Sequence, residues 1–474
     1  MDRVPASSPV HDERPTVFLA IANFTNISNI LRGKLIRYLA SKYRVVVLSP
    51  YLNEDFAARE GYVRSEYIRY IKTELAYPRL WPVMNTYLRL PFIRAYDHFS
   101  IIRQWFYRKS HPRRLRWLIA LGALFPRWFP TPGFFTFLER LIVSPPKDFR
   151  DLVSAYRPRA MITATPGYIY ALLEIEMVLF AQKLGIPTVA IDASFDNPYS
   201  QAKHIRKTDY IAAWNERMKR DIVAHHAYAP ERVSVTGCLK FDHYFTDGKE
   251  RALRSREEFL RAKNLDPARK TIVYATPTPM AYPSRGEFMG KLVETKNAGG
   301  FAGDPNILVR LHPLDEGTPY EAFRGVLGVR IERAGTMRLG DKATKGTKVE
   351  MTEADLTNLT ETLRYADVLI DFASTLVIEA CIFHTPSVSI GFPPEQRALC
   401  TCELTRDVIA LSGEPLTESF EELVATVNRC LVTPQTAEDR QRDENTVREF
   451  VQFADGRSWE RTGAFIDAIV ERQR

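Results

Sequence analysis

The sequence predicts an α/β protein built from two doubly wound domains that face a central cleft. The chain has 474 residues, which exceeds what one hydrophobic core usually organises. Apolar runs of strand length alternate with stretches of helical spacing. The alternation restarts after a charged segment, residues 246–268, which we expect to form a connecting helix. Two such series are typical of doubly wound domains with parallel sheets.

The first domain is expected to span residues 1–245. It opens with a β-α-β unit, because two apolar strands flank about twenty residues of loop and helical spacing. A later helix is predicted to end at Gly185, since glycine favours helix C-termini. The strands predicted for this domain are 16–24, 43–50, 157–166, 186–194, the segment DYIAA from residue 209, and 232–237.

One region departs from the alternation, and we expect a helical insertion at about residues 60–150. Residues 76–148 are crowded with aromatic side chains and arginines. Residues 112–130 (PRRLRWLIALGALFPRWFP) place arginines around an apolar helix too short to span a bilayer. Two interpretations stay open. Residues 100–135 contact an anionic membrane surface, where Trp and Arg are favoured, or the aromatics pack as an extra helical layer.

The second domain is expected to span residues 246–445. Its predicted strands are 270–279, 306–313, 366–375 and 386–392. The tail, residues 446–474, carries apolar positions at helical spacing near its end. We expect that helix to pack back on the first domain, and the pattern equally allows a surface helix of the second domain.

Composition excludes several classes of protein. Hydrophobic residues make up 45% and charged residues 26%, as in ordinary globular proteins. The N-terminus lacks the apolar core of a signal peptide, and no stretch is long and apolar enough for a transmembrane helix. We therefore expect a cytoplasmic protein, with a peripheral position on the inner face of the membrane if the insertion contacts lipid.

The cysteines and the net charge agree with that location. The five cysteines are odd in number and show no zinc spacing, so we interpret them as reduced thiols. The net charge of +8 suits a partner with phosphates or an anionic membrane. Nucleic-acid binding is not expected, because the basic residues cluster with membrane-type aromatics and not in a recognised nucleic-acid motif.

The segment NILVRLHP carries the strongest local signal. On a strand, Arg310 and His312 point to the same face, because side chains alternate. Both lie at the strand's end, just before Pro313, and ligands of open α/β sheets bind beyond the carboxyl ends of strands. A guanidinium and an imidazole there suit a diphosphate. The alternative is that Arg310 pairs with a structural carboxylate and His312 caps a loop.

The segment DFASTLVIEA (371–380) joins a strand to a helix. Ser374 is placed as an N-cap, and hydroxyls with free N–H groups at a helix start form a natural phosphate site. Thr375 and Glu379 lie four apart and share a helical face. The Glu379 carboxylate would accept hydrogen bonds from ribose hydroxyls. The alternative is an ordinary Ser-capped helix with a solvated glutamate.

These pieces, in this order, resemble the GT-B group of glycosyltransferases and two relatives of that group. The relatives are the CDP-glycerol glycerophosphotransferases of teichoic-acid synthesis and the non-hydrolysing UDP-N-acetylglucosamine 2-epimerases. The matching segments are WNERMKRDIV (214–223), VSVTGCLKFDHY (233–244), VRLHP (309–313) and ADVLIDFASTLVIEACIFHTPSVSIGF (366–392).

The resemblance implies two Rossmann-type domains, with the nucleotide diphosphate against the second. It gives Arg310 and His312 the family's R-x-HP roles, places Ser374 and Thr375 near the diphosphate, and assigns Glu379 to the ribose. The run VIEA departs from the phosphotransferase pattern, which favours sugar transfer. The loop NFTNISN lacks the epimerase pattern Gly-Thr-Arg-Pro-Glu, which counts against epimerisation.

We expect catalysis without a metal or cofactor, with the nucleotide-sugar donor bound as substrate. No convincing D-x-D loop is present, so Arg310, His312 and the helix start would stabilise the leaving diphosphate.

The base that removes the acceptor's proton stays open among Asp192, Asp196 and His204, in a loop after a strand end. Capping of that loop is the alternative role for each of them.

Further binding residues are predicted on two loops. Asn23 and Thr25 follow the first strand and would line the acceptor pocket. Thr276 and Thr278, in the turn TPTP, would reach the phosphates or the glycosyl group, or would face water. His225, His226 and His384 are interpreted as structural or exposed.

The sequence therefore predicts a glycosyltransferase of surface-polysaccharide synthesis, with a glycan or lipid-linked acceptor. Two other functions stay open: a CDP-polyol phosphotransferase, and a non-catalytic GT-B-like subunit.

Overall fold

The fold is that of a computed structural model of the chain. It describes the following residues, together with a few isolated positions between them: 14–21, 29–73, 132–165, 172–192, 197–200, 206–245, 252–279, 282–338, 348–372, 374–392 and 400–472.

The first sheet is parallel and is built by residues 16–235. Its strands are β1 (Thr16–Ala20), β2 (Arg44–Ser49), β3 (Ile68–Lys72), β4 (Pro158–Thr163), β5 (Thr188–Ile191), β6 (Tyr210–Ala213) and β7 (Val233–Val235). They lie in the order β3-β2-β1-β4-β5-β6-β7, so the sheet grows outward on both sides of β1. The strands from β1 to β3 extend the sheet in one direction. After β3 the chain returns to the other side of β1, and the strands from β4 to β7 extend the sheet in the opposite direction, as in doubly wound sheets.

Helices cover both faces of the first sheet. They are α1 (Lys34–Lys42), α2 (Glu54–Arg59), α3 (Pro132–Ile142), α4 (Lys147–Tyr156), α5 (Leu172–Lys183), the short α6 (Asn197–Ser200) and α7 (Glu216–His226). Gly185 follows α5 with φ of 72°, the left-handed conformation in which glycine ends a helix without strain. Side chains of β1 alternate between the two apolar layers: Val17 and Leu19 face one, Phe18 and Ala20 the other.

The second sheet is also parallel. Its strands are β8 (Thr271–Ala275), β9 (Asn306–Leu311), β10 (Val329–Arg333), β13 (Val368–Asp371), β14 (Ser387–Ile390) and β15 (Leu416–Thr417), in the order β10-β9-β8-β13-β14-β15. A separate antiparallel hairpin, β11 (Thr336–Arg338) and β12 (Lys348–Glu350), leaves the sheet after β10. The two parallel sheets confirm the predicted α/β class.

The second sheet carries its own helices. They are α8 (Arg256–Ala262), α9 (Arg285–Asn297), α10 (Glu353–Tyr365), α11 (Leu376–Ile382), α12 (Glu403–Ser412), α13 (Phe420–Val432) and α14 (Ala437–Phe450). The charged segment 246–268 was predicted to be a connecting helix, and its described part is helical only over α8. Ser255 and Glu258 form a capping box at the start of α8, which explains why it begins there.

Several strands were not predicted from the sequence. β3 and β10 are edge strands with an alternating or mostly polar pattern, and β11, β12 and β15 have three residues or fewer. Short or polar strands lack the apolar run on which the prediction depended. Their positions follow from pairing with a neighbouring strand.

The last helix, α15 (Ser458–Glu471), returns to the first domain and packs against α1. Asp242 accepts hydrogen bonds from the backbone N–H groups of Ser458 and Trp459, at 3.0 Å each, and so caps α15. On the other side, Asp467 accepts hydrogen bonds from the hydroxyls of Tyr38 and Tyr43. The polar contacts thus hold both ends of α15 in the first domain.

An apolar cluster joins the two domains. It combines side chains of β6 and α7, such as Ile211 and Met218, with Val377 and Ile378 of α11 and Phe450 of α14. Asn215 Nδ2 donates to the carbonyl of Phe450 at 2.7 Å across the same contact. The domains therefore share a buried interface at the base of the cleft. Among the described residues, no helix has the length and apolarity needed to cross a membrane.

Candidate active site

The carboxyl ends of three adjacent strands form the candidate site. In the second sheet, β9 lies next to β8 and β8 next to β13. The predicted residues His312, Thr276 and Ser374 follow these three strands. Because the strands are parallel, the residues after them lie at one edge of the sheet, where open α/β sheets bind ligands.

His312 lies in the turn after β9. Its Nδ1 accepts a hydrogen bond from the backbone N–H of Leu314 at 3.1 Å, so in the neutral ring the proton is on Nε2. Burial lowers the pKa of His312 to about 4, an effect that the nearby Asp315 carboxylate only partly offsets. At neutral pH the ring is therefore uncharged. It can offer a diphosphate an Nε2–H hydrogen bond but no positive charge.

The turn around His312 is fixed from both sides. Asp315 accepts from Arg285 Nε at 2.7 Å and from the N–H of Gly317 at 2.9 Å, and its own N–H bonds the carbonyl of His312. The hydroxyl of Thr276 accepts the backbone N–H of His312 at 2.8 Å. Thr276 is buried, so its hydroxyl ties β8 to the turn, whereas Thr278 is half-buried in the next turn.

Ser374 is held by the strand that precedes it. Its backbone N–H and its hydroxyl both donate to Asp371 Oδ2, at 3.2 and 2.9 Å, and Ser389 donates to Asp371 Oδ1 at 2.9 Å. The Ser374 oxygen also accepts the N–H of Leu376 at 3.2 Å. Thr375, the residue before α11, already has helical angles (φ −62°, ψ −17°) and forms no side-chain cap, so the hydroxyl of Ser374 acts as the cap.

Arg310 does not share the surroundings of His312. Its side chain is only 6% exposed and lies 3.6 Å from the Glu332 carboxylate of β10. One guanidinium nitrogen, Nη1, is buried without a hydrogen-bond partner. β9 ends at Leu311, so the strand alternation that would bring Arg310 and His312 to one face stops between them. Arg310 thus has the structural carboxylate that the sequence left open as its alternative.

Glu379 of α11 is fully buried, and its two hydrogen-bond partners lie in the segment that follows β7. Lys240 Nζ donates to Glu379 Oε1 at 2.6 Å, and the hydroxyl of Tyr244 donates to Oε2. Burial and the Glu379 charge raise the pKa of Tyr244, which keeps its hydroxyl protonated. The predicted ribose contact of Glu379 would require Lys240 and Tyr244 to move aside.

A narrow pocket of about 10 Å³, room for a single water molecule, lies at the carboxyl edge of the first sheet. Ala164, Asp192 and Trp214, after β4, β5 and β6, line it together with Asn29 and Lys240. Asp192 is only 2% exposed, and its Oδ1 accepts from Asn197 Nδ2 at 2.6 Å. The structure thus places Asp192 at the carboxyl edge of the first sheet, but with a hydrogen-bonded carboxylate.

The other predicted site residues have two outcomes. Asn23, Thr25, Asp196 and His204 lie outside the described residues. The histidines interpreted as structural or exposed include His226, whose Nε2 bonds the carbonyl of Pro198 at 2.8 Å, and His384, whose Nδ1 lies 3.1 Å from Asp443.

Sequence reasoning missed Lys240, Tyr244 and Asp371. The first two lie in the segment VSVTGCLKFDHY, which carried part of the resemblance but received no role. The available signal was a lysine and a tyrosine, Lys240 and Tyr244, close together at the end of the predicted first domain.

Within the described ranges, no group of three or more His, Cys, Asp or Glu side chains could hold a metal ion.

Comparison with known proteins shows similarity in structure only. No protein-family model and no curated protein sequence matches the chain. Among solved structures, the UDP-GlcNAc 2-epimerase from Methanocaldococcus jannaschii is 12% identical with a TM-score of 0.51, covering 96% of this chain and 99% of that one. The S. aureus MnaA–UDP co-structure is 10% identical with a TM-score of 0.53, covering 96% and 97%.

The wall teichoic acid polymerase TagF is a third structural neighbour. A structure of a single-residue variant of TagF is 11% identical with a TM-score of 0.50, covering 97% of this chain and 89% of that one. At these identities the likeness concerns the fold alone, and it extends over both sheets and nearly the whole chain. The chain therefore has the two-domain, GT-B-like α/β fold that it shares with these epimerases and with the teichoic acid polymerase.

Proposed function

We propose that the protein is a glycosyltransferase that moves a sugar from a nucleotide-diphosphate sugar to a glycan or lipid-linked acceptor in surface-polysaccharide synthesis. The observation that carries the proposal is the convergence of His312, Thr276 and Ser374 at the carboxyl ends of β9, β8 and β13. The pocket of the first domain that holds Asp192 adjoins the second domain through Lys240, which lines the pocket and donates to Glu379.

The donor's diphosphate fits the second domain's side of the cleft. The neutral His312 ring offers its Nε2–H to a phosphate oxygen, and Ser374 offers a hydroxyl that Asp371 orients. These donors are uncharged but fixed in place, and fixed donors stabilise a developing oxyanion effectively. Since α11 has only seven residues, its N-terminus contributes less than a long helix would.

Transfer requires three coupled events. The acceptor hydroxyl loses its proton to a base, its oxygen bonds the anomeric carbon, and the bond from that carbon to the diphosphate oxygen breaks. Of the three candidate bases, Asp192 is the one within the described residues, and Asn197 orients its carboxylate. Asp196 and His204 stay candidates on the same loop. The donor is a substrate, and we propose that no metal or other cofactor takes part.

We also propose a cytoplasmic location with peripheral attachment to the membrane. A lipid-linked acceptor would be met at the inner face of the membrane, and a net charge of +8 favours an anionic surface.

One structural neighbour favours a second candidate function. A TagF structure described as a 15-minute soak with CDPG has a TM-score of 0.51 and is 11% identical. Transfer of a polyol phosphate from a CDP-polyol would use the same cleft. The nucleotide base is therefore the property that separates the two functions.

The test is a thermal-shift panel with UDP, CDP and GDP in EDTA, followed by turnover of the matching sugar or polyol conjugates. Binding to the native state raises the unfolding midpoint by mass action. We expect a shift with UDP or GDP that His312→Gln reduces. The matched control is His384→Gln, since His384 bonds Asp443 on another side of the second domain.

A shift with CDP alone, followed by transfer of a polyol phosphate, would replace the proposal with the phosphotransferase function. Absence of any shift, repeated with Mg²⁺ and Mn²⁺, would leave the non-catalytic GT-B-like subunit.

A further inference from the structure

Helix α3 presents an apolar face to solvent. Phe137 and Leu141, one turn apart, are 58% and 66% exposed, and Ile142 is 41% exposed. On the opposite face, Leu138 packs against the core and Glu139 is fully buried. A surface helix of a soluble protein normally points its polar side chains outward. In α3 the buried face contains the carboxylate and the exposed face is apolar.

Two hydrogen-bonded contacts, one on the buried face of α3 and one just after its end, fix the orientation of the helix. Arg206 donates to the Glu139 carboxylate in a buried ion pair, and Lys183 Nζ donates to the carbonyl of Val143, just after the helix. Rotation of α3 to hide Phe137 and Leu141 would break this ion pair and leave two buried charges unpaired, which is costly. The apolar face is therefore held outward.

More exposed apolar side chains lie just before α3 in the chain. Trp117 is 72% exposed and Leu124 is 79% exposed. Most of the large apolar side chains that are exposed in the described part of the chain fall between residues 117 and 142. Scattered exposed leucines are ordinary, but a concentration of this kind marks an interaction surface.

The sequence that leads into α3 carries charges of one sign. From residue 98 to residue 138 the sequence contains seven Lys or Arg residues and no Asp or Glu. Beside α3 lies an open groove of about 490 Å³, lined by Pro145, Leu179, Gln182, Lys183, Leu184 and Arg206. Arg206 is only 6% exposed, and its Nε is buried without a hydrogen-bond partner. Arg206 is engaged by Glu139 and Lys183 by the carbonyl of Val143, so the groove adds the charge of Lys183 beside α3.

We propose that the outer face of α3, together with Trp117 and Leu124, is a docking surface for an anionic lipid bilayer. The apolar side chains enter the boundary between headgroups and acyl chains, where amphipathic helices bind. The seven basic residues in the sequence from residue 98 to residue 138 supply the attraction to anionic headgroups. This proposal deepens the peripheral membrane attachment proposed above and rests on it, whereas the transfer reaction is independent of it.

The test is co-sedimentation of the full chain with vesicles of phosphatidylcholine alone, or mixed with phosphatidylglycerol. We expect binding to the mixed vesicles at low salt, little binding to phosphatidylcholine, and release as salt is raised. The double variant Phe137→Ser/Leu141→Ser should lower the partition coefficient by at least about tenfold, since two inserted apolar side chains are lost.

The matched control is Leu327→Ser, because Leu327 is 85% exposed on the second domain. It should bind as the unaltered protein does. Unchanged thermal midpoints would show that both variants fold, and Leu124→Ser repeats the test if the double variant does not. Three results would overturn the proposal: no binding to mixed vesicles, equal binding by the double variant, or a dimer in light scattering that the double variant dissociates. Nucleotide binding is measured separately, so failure here leaves the proposed transfer reaction standing.

Discussion

At the scale of single residues, the candidate site depends on hydrogen bonds that fix the orientation of a few polar side chains. The N–H of Leu314 selects the tautomer of His312, and Asp371 orients the hydroxyl of Ser374. These contacts turn ordinary loop residues into fixed donors. They also change how the residues titrate, because a buried imidazole loses the hydration that stabilises its charged form.

We predict that His312 makes stability depend on pH. Its pKa is about 4 in the folded protein and 6.5 as the unperturbed value, so the unfolded state binds more protons between these values. Stability is therefore present above pH 6.5 and is lost as pH falls towards 4, by roughly 1–3 kcal/mol. Urea unfolding at pH 7 and pH 4.5 should show a smaller loss in His312→Gln. Equal losses in the two proteins would place the titrating group elsewhere.

A second residue-scale prediction concerns Glu379 and Lys240. Glu379→Met leaves the Lys240 charge without its partner, and it should lower the free energy of unfolding by about 2–4 kcal/mol, since Lys240 is partly exposed. The double variant Lys240→Met/Glu379→Met removes both charges and should be more stable than Glu379→Met. Chemical denaturation of Lys240→Met, Glu379→Met and the double variant checks this. Simple addition of the two single losses would show that the pair is not coupled.

At the scale of elements, helix packing depends on how closely backbones approach. α15 crosses α1 at Gly463, where an added Cβ would lie 2.2 Å from Tyr38 Cε1. In α9, a Cβ on Gly290 would lie 3.6 Å from Phe323 Cζ, an ordinary contact. Both glycines are helical, so helix propensity favours alanine equally at both positions. Packing alone separates them.

We therefore predict opposite effects for the same substitution. Gly463→Ala should destabilise the protein by about 1–3 kcal/mol, because the overlap with Tyr38 outweighs the gain in helix propensity. Gly290→Ala should be neutral or stabilising by up to about 1 kcal/mol. Thermal unfolding of both variants measures the difference. A stable Gly463→Ala would mean that α15 does not rest tightly against α1.

At the scale of the whole molecule, contacts far apart in sequence set how the domains meet. The hairpin of β11 and β12 carries Glu350 across to the first domain. There its Oε1 accepts from Arg32 Nε at 2.9 Å, from Arg32 Nη2 at 2.6 Å and from the Tyr62 hydroxyl at 2.8 Å. Glu350 is fully buried, so this contact acts as a second connection beside the apolar cluster at the base of the cleft.

We predict that Glu350→Ala loosens the two domains. The Arg32 guanidinium would lose its carboxylate, and such a loss costs about 3–5 kcal/mol for a buried pair. The radius of gyration in solution scattering should rise, and calorimetry should separate two unfolding transitions. The control is Glu321→Ala, whose pair with Arg324 is exposed and is expected to change stability by less than about 1 kcal/mol. A single, unshifted transition in Glu350→Ala would contradict the role given to the hairpin.

The sequence by itself determined the α/β class, the two sheets and the strands that end at the candidate site. These features are local: an apolar run predicts a buried strand, and a polar residue after it lies at the carboxyl edge of a parallel sheet. His312, Thr276 and Ser374 were found in that way. The short and edge strands were not, because their few residues carry no apolar pattern.

Only the tertiary structure decided which charged groups meet. Lys240 and Glu379 are 139 residues apart, and Arg32 and Glu350 are 318 apart. No periodicity links such positions, since each pair forms when two separately folded layers pack together. The same holds for Arg310, whose partner Glu332 is on the neighbouring strand β10. Spacing along the chain can place a side chain at a strand end, but packing determines which group the side chain pairs with and so whether its charge is neutralised.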